Sequence, residues 1–343
     1  MQTMDGSIQW LFSLSSLRNT PTELPIEKEM YDRARGVEFL FRLGTSLQLP
    51  TAAMLTAATW FHRFYMRHAM GDFHRQDVAA ACVFLSTKTE ECGRKLRDVA
   101  KVYHAKATNT DTKTSIHNGP QEVEKIGLDI LHTEEYLLEA LCFDFLIQNP
   151  HNDLIDLFDE AQSDPDLQDY AWSIAHDSYR TPLCILFPPR IIAAACYILA
   201  QAAADDPSAS SLDSRLAITA PSSTLPTPPT HKARSPDASR YVIEHYALTP
   251  AEVQDVTDAI DILLEFYRCQ DEEFAPHVHL VSRIPAPKLA TPREPIYRPW
   301  PEVAMYTRPS ASEPAASKAI TPSSSHGGHT PQNIQESTRM DLS

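Results

Sequence analysis

One segment constrains the chain more than any other. Residues 75–91, RQDVAAACVFLSTKTEE, have the length and composition of a helix, and from Val78 to Leu85 it is apolar on almost every side. A helix without a polar face has to be surrounded by other elements. The segment also has a counterpart. A gap-free shift of 114 residues lays Ala79-Ala80-Ala81-Cys82 on Ala193-Ala194-Ala195-Cys196, Phe84-Leu85 on Ile198-Leu199, Phe73 on Phe187, His62 on His176 and Tyr65 on Tyr179. One offset shared by two helices and their linker points to a duplicated unit with a small-residue helix at the centre of each copy. Small side chains let neighbouring helices come close.

The rest of the chain reads as the surroundings of those two helices. Residues 1–26 form an extended arm with the apolar anchors Trp10, Leu11, Phe12, Leu14 and Leu17, ended by Thr20-Pro21. Helical patterns follow at 27–48, from Thr51 (a capping residue) to Gly71, at 75–91, at 94–105 and at 121–142, with a Thr/Asn/Gly/Pro-rich loop at 107–120. FDFLIQNP at 143–150 joins the copies, and helices resume near 151–162, 166–179, 188–203 and 240–267. Residues 205–238 and everything after about 270 are rich in Pro, Ser and Thr and lack a core-forming pattern, so both are expected to be disordered. In these two segments Thr227, Ser235, Thr291, Thr321 and Thr330 each precede a proline.

Composition excludes several classes. No apolar run approaches the ~18 residues of a membrane span, and the N-terminus lacks the basic-then-apolar pattern of a secretory signal. The six cysteines contain no CxxC, and four lie in apolar runs, as reduced buried thiols do. His62, His68, His74, Cys82 and Cys92 are close in sequence, yet their spacing fits no zinc motif; no metal or cofactor is expected. With nine glycines in the chain there is no phosphate-cradling loop, which counts against a nucleotide-using enzyme. Residues 1–105 carry 13 Lys/Arg against 11 Asp/Glu, but residues 121–206 carry 3 against 17. An acidic second half repels phosphates, so direct nucleic-acid binding is not expected.

Two charges interrupt the apolar stripes. Lys88 continues the line Val78, Ala81, Leu85, and Glu134 stands in line with Ile130, Leu137, Leu138 and Leu141. A lone buried charge is costly. Either the two pair across neighbouring helices, or Lys88 snorkels from its helix end while Glu134 faces water.

At these residues the chain resembles the cyclin family. LSTKTEE (85–91) is similar to the cyclin-box signature, a Lys followed by two acids at the end of the third helix. HTEEYLLEALCFDF (132–145) is similar to the fifth helix, with a Glu nine residues before Phe-Asp. WLFSLSSLRNTPTEL (10–24), WFHRFYM (60–66) and ECGRKLRDVAKVYHA (91–105) resemble the transcriptional branch, the cyclin T and cyclin K types. The resemblance implies an all-α fold of two tandem five-helix cyclin-box bundles: an arm at 1–26, a first repeat at 27–145, a second at 146–270 with a disordered insertion at 205–238, and a disordered tail at 271–343. It implies a non-catalytic nuclear subunit that forms a heterodimer with a cyclin-dependent kinase and activates it toward the C-terminal repeats of RNA polymerase II. Carried over by position, Lys88 and Glu134 would hydrogen-bond the kinase backbone, and Glu91, Leu138 and Phe143 would line the contact.

The chain departs from cell-cycle cyclins at their apolar substrate-docking patch. Asp32-Arg33-Ala34-Arg35-Gly36 occupies that position and keeps only the Arg-Ala. This favours the transcriptional branch. The other family with two such repeats, transcription factor IIB, carries a zinc ribbon and a basic DNA-facing surface. Here no cysteine precedes Cys82, and the second half is acidic.

Overall fold

The structure is a computed structural model that describes residues 8–109, 120–161, 164–205, 211–216, 238–270 and 278–305. After a single 3-10 turn at Ile8–Trp10 come α1 (Leu14–Arg18), α2 (Ile26–Ser46), α3 (Thr51–Phe64), α4 (Arg75–Thr89), α5 (Leu96–Ala107) and α6 (Pro120–Ala140). Then come α7 (Pro150–Ala161), α8 (Pro165–Ser178), α9 (Leu183–Leu186), α10 (Pro189–Ala204), α11 (Leu212–Leu216), α12 (Ala238–His245), α13 (Pro250–Arg268), α14 (Val278–Ser282) and α15 (Trp300–Ala304). Among the described residues there is no strand, and no helix is long and apolar enough to cross a membrane.

The all-apolar helices occupy the two centres. α4 packs against α2, α3, α5 and α6, and α10 against α7, α8, α12 and α13. These are the ten helices, in two bundles, that the sequence leads one to expect. The 114-residue offset carries α3 onto 165–178, the span of α8, and the first residue of α4 onto Pro189, the first of α10. Every residue from Val78 to Thr87, and every one from Ile191 to Gln201, is buried. Local chemistry sets the starts of α8 and α13. Asp164 accepts from the Asp166 N–H, Thr249 and Glu252 form a reciprocal capping box, and a proline follows each cap. Thr51, expected as a cap, is instead the first residue of α3; Pro50 precedes it and the end has no side-chain cap.

The two bundles share material. α2 crosses both: Met30 and Ala34 lie in the second core with Leu17, whereas Val37, Leu40 and Leu43 lie in the first. In return Tyr179, from the end of α8, is buried in the first core. The crossing of α2 over α3 is close enough that a Cβ at Gly36 would stand 2.2 Å from the Phe61 ring, so only glycine fits.

A polar cluster lies where the copies meet. Arg33 is fully buried; its guanidinium pairs with Glu29 at 2.7 Å and donates to the His62 carbonyl at 2.9 Å. The His62 ring, also fully buried, donates from Nε2 to the Tyr179 carbonyl at 2.9 Å. A carbonyl only accepts, so this contact fixes the proton on Nε2. His176, the repeat mate of His62, stacks on Phe41 at 4.4 Å.

Three expectations about the ends of the chain need correction. The arm at 1–26 is not simply extended: α1 forms a turn of helix, Leu17 is fully buried, and the Phe12 N–H donates to the Ile185 carbonyl at 2.8 Å. Within the insertion 205–238, residues 211–216 form α11 and bury Leu212 and Leu216, while Arg215 donates to Gln201 of α10 at 3.0 Å. Within the tail 271–343, residues 278–305 run as a strap along the second bundle, anchored by the buried Ile296 and Tyr297, whose N–H groups both donate to Glu265 at 2.7 Å. Prolines mark this segment as non-helical, but a few buried side chains are enough to hold it. The remainder of both segments, and residues 110–119 of the 107–120 loop, lie outside the described residues.

Removing one member of a buried ion pair leaves its partner uncompensated, at about 3–5 kcal/mol. Glu29→Ala should therefore lower the unfolding free energy by about that amount in urea titration. A Glu29→Ala/Arg33→Met chain should recover part of the loss, because no buried charge then remains.

Burial, and then the charge of Arg33, outweigh the Tyr179 contact and bring the His62 pKa down to about 3. Burial, then His176, brings His151 to about 4. Unfolded histidines titrate near 6.5, so below that pH the unfolded chain binds more protons and stability falls. The histidine contribution is complete above about pH 6.5 and is lost progressively toward the folded-state values. His62→Gln should flatten the decline in urea midpoint between about pH 7 and pH 5, each unit below 6.5 being worth at most about 1.4 kcal/mol per histidine.

Candidate functional site

The five candidate residues lie at the C-terminal ends of α4 and α6, which pack side by side. Lys88 is in the last turn of α4, where a cation suits the negative end of the helix dipole. Its ammonium donates to both carboxylate oxygens of Glu134, at 2.7 and 2.8 Å, and stands 4.2 Å from the centre of the Phe84 ring. Of the two open readings, the pair is the one that forms. It is lopsided, though: the Lys88 side chain is 47% exposed and that of Glu134 only 7%. The carboxylate is sunk between the helices, and the ammonium caps it at the surface. Lys88 therefore does not lie in the core, despite continuing its stripe. The last turn of a helix emerges from the bundle, which a linear stripe does not reveal.

Leu138 follows Glu134 by one turn on the same face of α6 and is half-buried against the first core. Glu91 and Phe143 lie just beyond the two helix ends, and both ends close in the same manner. The Cys92 N–H reaches back to the Thr87 carbonyl at 3.1 Å, and the Phe143 N–H to that of Leu138 at 3.2 Å. This six-residue closure requires a left-handed residue one place earlier, normally glycine. Here the residues are Glu91, φ 52°, and Cys142, φ 52°, and Phe143 follows at φ 57°. A bulky side chain at positive φ is uncommon and tends to mark functional positions. Phe143 is also 65% exposed, and Leu146 is 63% exposed. The structure thus gathers all five residues on one edge: a charge pair, a half-buried leucine, a free-standing carboxylate and an exposed aromatic ring.

Sequence reasoning missed what holds that edge in place. Trp10, from the arm, is buried and donates its indole N–H to Asp144 at 2.8 Å. The guanidinium of Arg63 lies 4.6 Å from the Trp10 ring. Burial pushes the Asp144 carboxyl up, but hydrogen bonds from Trp10, the Leu146 N–H and Gln9, with the Arg63 charge, outweigh it and leave the carboxyl below its ordinary range. Phe145 is wedged edge-on against Trp60 at 5.8 Å. Phe143 therefore projects from a turn fixed on its next two residues. The signal was an aromatic anchor in the arm and a lone acid between two phenylalanines, but nothing in a linear sequence says that they meet. Thr56, which donates to Glu90 at 2.8 Å, ties α3 to the other helix end.

The stretch Asp32–Gly36 forms no docking patch. Asp32, Arg33, Ala34 and Gly36 are buried, and Asp32 bridges Lys28 at 2.9 Å and Arg75 at 3.2 Å. The histidines and cysteines do not converge either: among the described residues no three His, Cys, Asp or Glu side chains are grouped to hold a metal.

All five residues lie within a stretch that matches a known family. Residues 9–146 match the cyclin N-terminal domain, so the model spans the arm and the whole first bundle. Cyclin pch1 of Schizosaccharomyces pombe is 37% identical over 193 residues, which are 55% of this chain and 56% of that one. Cyclin-T1-4 of Arabidopsis thaliana is 32% identical over 207 residues, 58% of this chain and 38% of that one. The chain thus spans about half or less of the length of these curated relatives. A chain of the yeast RNA Pol II CTD kinase CTDK-1 complex superposes with a TM-score of 0.57 at 17% identity, covering 83% of this chain and 86% of that one, a likeness of fold. The chain thus carries a stretch that matches the cyclin N-terminal domain, is similar in sequence to cyclins over just over half of its length, and shares its fold with a chain of a kinase complex.

Proposed function

We propose that the protein is the regulatory, non-catalytic subunit of a cyclin-dependent kinase, that it forms a heterodimer with that kinase in the nucleus, and that the complex phosphorylates the C-terminal repeats of RNA polymerase II to promote transcript elongation. The observation that carries this reading is the Lys88–Glu134 pair, presented at the joined ends of α4 and α6 inside the cyclin N-terminal domain. The relatives' names, and the kinase complex whose chain shares the fold, support the choice of the transcriptional branch.

The chemistry of the edge suits a task of positioning. A kinase needs its regulatory helix held inward so that a Lys–Glu pair forms over the ATP phosphates. Lys88 keeps an N–H beyond those given to Glu134, and the carboxylate keeps lone pairs, so together they present a donor and an acceptor to a partner's backbone. Their mutual bond fixes both beforehand, and less ordering is then required on docking. Phe143 and Leu138 supply apolar area beside them, and Glu91 a carboxylate that meets N–H groups or a cation.

The asymmetry of the pair separates two variants. Without Lys88, the sunken carboxylate of Glu134 has no counter-charge even in the free protein, so Lys88→Ala should cost stability as well as binding. Without Glu134, Lys88 turns into solvent, and the free protein loses only the ~0–1 kcal/mol of a surface pair. The complex loses more, typically about 2–5 kcal/mol for one member of a pair that docking buries. Glu134→Ala should therefore keep its helical circular dichroism and urea midpoint, yet bind the co-purifying kinase about 30-fold or more weakly. A folded Glu134→Ala protein that binds and activates that kinase as well as the parent would refute the assignment. Arg35→Ala, at a half-exposed site away from the edge, should leave activation unchanged.

A second expectation concerns strain. Left-handed backbone costs a side-chain-bearing residue roughly 1–2 kcal/mol, partly offset by the extra chain entropy of glycine. Glu91→Gly should raise the unfolding free energy by up to about 1 kcal/mol in urea titration and weaken kinase binding in the same protein. A gain in stability with unchanged affinity would remove Glu91 from the contact.

A further inference from the structure

One threonine of the strap is bound to α13 through both its backbone and its side chain. Thr291 is exposed, lies outside any helix and precedes Pro292. Its N–H donates to Asp258 Oδ1 at 2.7 Å, and its hydroxyl donates to Oδ2 of the same carboxylate at 2.7 Å. Gln254 joins them, donating to Asp258 at 3.0 Å and to the Leu289 carbonyl at 2.9 Å. Just upstream, the N–H groups of Lys288 and Leu289 donate to Asp213 of α11 at 2.6 and 3.3 Å. Just downstream, Arg293 pairs with Asp261 at 2.7 Å and Glu265 at 2.5 Å. This stretch of strap is thus held by its donors on acidic acceptors. The acceptor face is crowded with charge: burial, then Asp258, raises the Asp255 carboxyl above its ordinary range.

From this geometry we infer that Thr291 is a phosphorylation site whose modification detaches residues 287–293 from α13 and α11. The phosphate comes from ATP through a proline-directed kinase, whether the partner or another. The Thr291 oxygen bonds to the γ-phosphorus as the bond from that phosphorus to the β–γ bridging oxygen breaks. ADP leaves, and the hydroxyl proton passes to the modifying kinase's catalytic base. The site loses the hydroxyl that donates to Asp258 Oδ2 and gains acceptor oxygens carrying roughly −1.5 to −2 charges in its place. Acceptor then faces acceptor, and like charges face each other at hydrogen-bond distance. The phosphate also offers Arg293, two residues on, a stronger partner than the carboxylates it now bridges. The Ile296 and Tyr297 anchors are apolar and bonded through Glu265, so the strap loosens upstream of them and stays attached. Thr227, Ser235, Thr321 and Thr330, the other threonines and serine marked by a following proline, lie outside the described residues.

The test uses the full chain, a purified proline-directed kinase and ATP, with sites mapped by mass spectrometry and amide hydrogen exchange measured before and after. Thr291 should be modified. The amides of Lys288, Leu289 and Thr291 should then exchange roughly tenfold faster or more, while those of Ile296 and Tyr297 stay as slow as before. In an Asp258→Asn chain, which keeps an acceptor but not the charge, phosphorylation should accelerate exchange much less. The inference is overturned if Thr291 stays unmodified while the other Thr-Pro sites are filled, if modification leaves exchange unchanged, or if the acceleration is as large in Asp258→Asn.

Discussion

A helix with no polar face cannot lie on a surface, and α4 and α10 are both of this kind. Each demands neighbours around its whole circumference, and a set of four enclosing helices is what the chain provides. Both carry the run Ala-Ala-Ala-Cys, where small side chains leave room for neighbours to approach closely. Most of the remaining helices keep an exposed face, although α3 is buried at every position from Ala53 to Phe64. The same demand explains where the charge pair lies. Where α4 runs out of neighbours, at Lys88, a charge first becomes tolerable.

Two such units could have been independent beads. They are not, because α2 gives its first half to one core and its second half to the other, and Tyr179 returns the exchange. The polar groups at the seam, Arg33, Glu29, His62 Nε2 and the Tyr179 carbonyl, bond to one another in a water-poor place where unpaired members would be costly, while His62 Nδ1 has no partner among the described residues. A seam of this kind aligns the bundles more specifically than apolar contact alone. The position of the second copy is thereby linked to the helix that carries Lys88, since α2 also packs on α4.

What the sequence discloses depends on the range of the signal. Periodicity and composition are local, and they revealed most of the helices to within a few residues, although α3 ends at Phe64 rather than near Gly71 and the run 240–267 is divided into α12 and α13. The repeat is a long-range signal that survives as an offset, and it located both centres. Lys88 and Glu134 were legible as exceptions because each broke an apolar stripe, but that they pair came only from the structure. What remained hidden was tertiary: Trp10 on Asp144, α11 against α10, and the strap held by Ile296 and Tyr297. Proline, serine and threonine describe a backbone that forms no helix. They say nothing about whether an occasional isoleucine or tyrosine finds a pocket, and two buried side chains with a shared carboxylate acceptor were enough here.

Glycine usage connects fold and edge. A chain this helical needs many helix stops, and with nine glycines among 343 residues it often ends helices on other residues. Gln48 and Ala247 take the left-handed position with the same six-residue closure, from Leu49 to Gly44 and from Leu248 to Ile243. Positive φ is therefore no marker of function in this protein by itself. What distinguishes the ends of α4 and α6 is its coincidence with other features. Two strained stops lie next to each other, one is followed by a phenylalanine that is also strained and largely exposed, and an ion pair joins the two helices one to two turns earlier. Stability alone would favour glycine at Glu91 and a buried ring at 143. Their retention in this geometry fits an edge whose remaining contacts are completed by a partner.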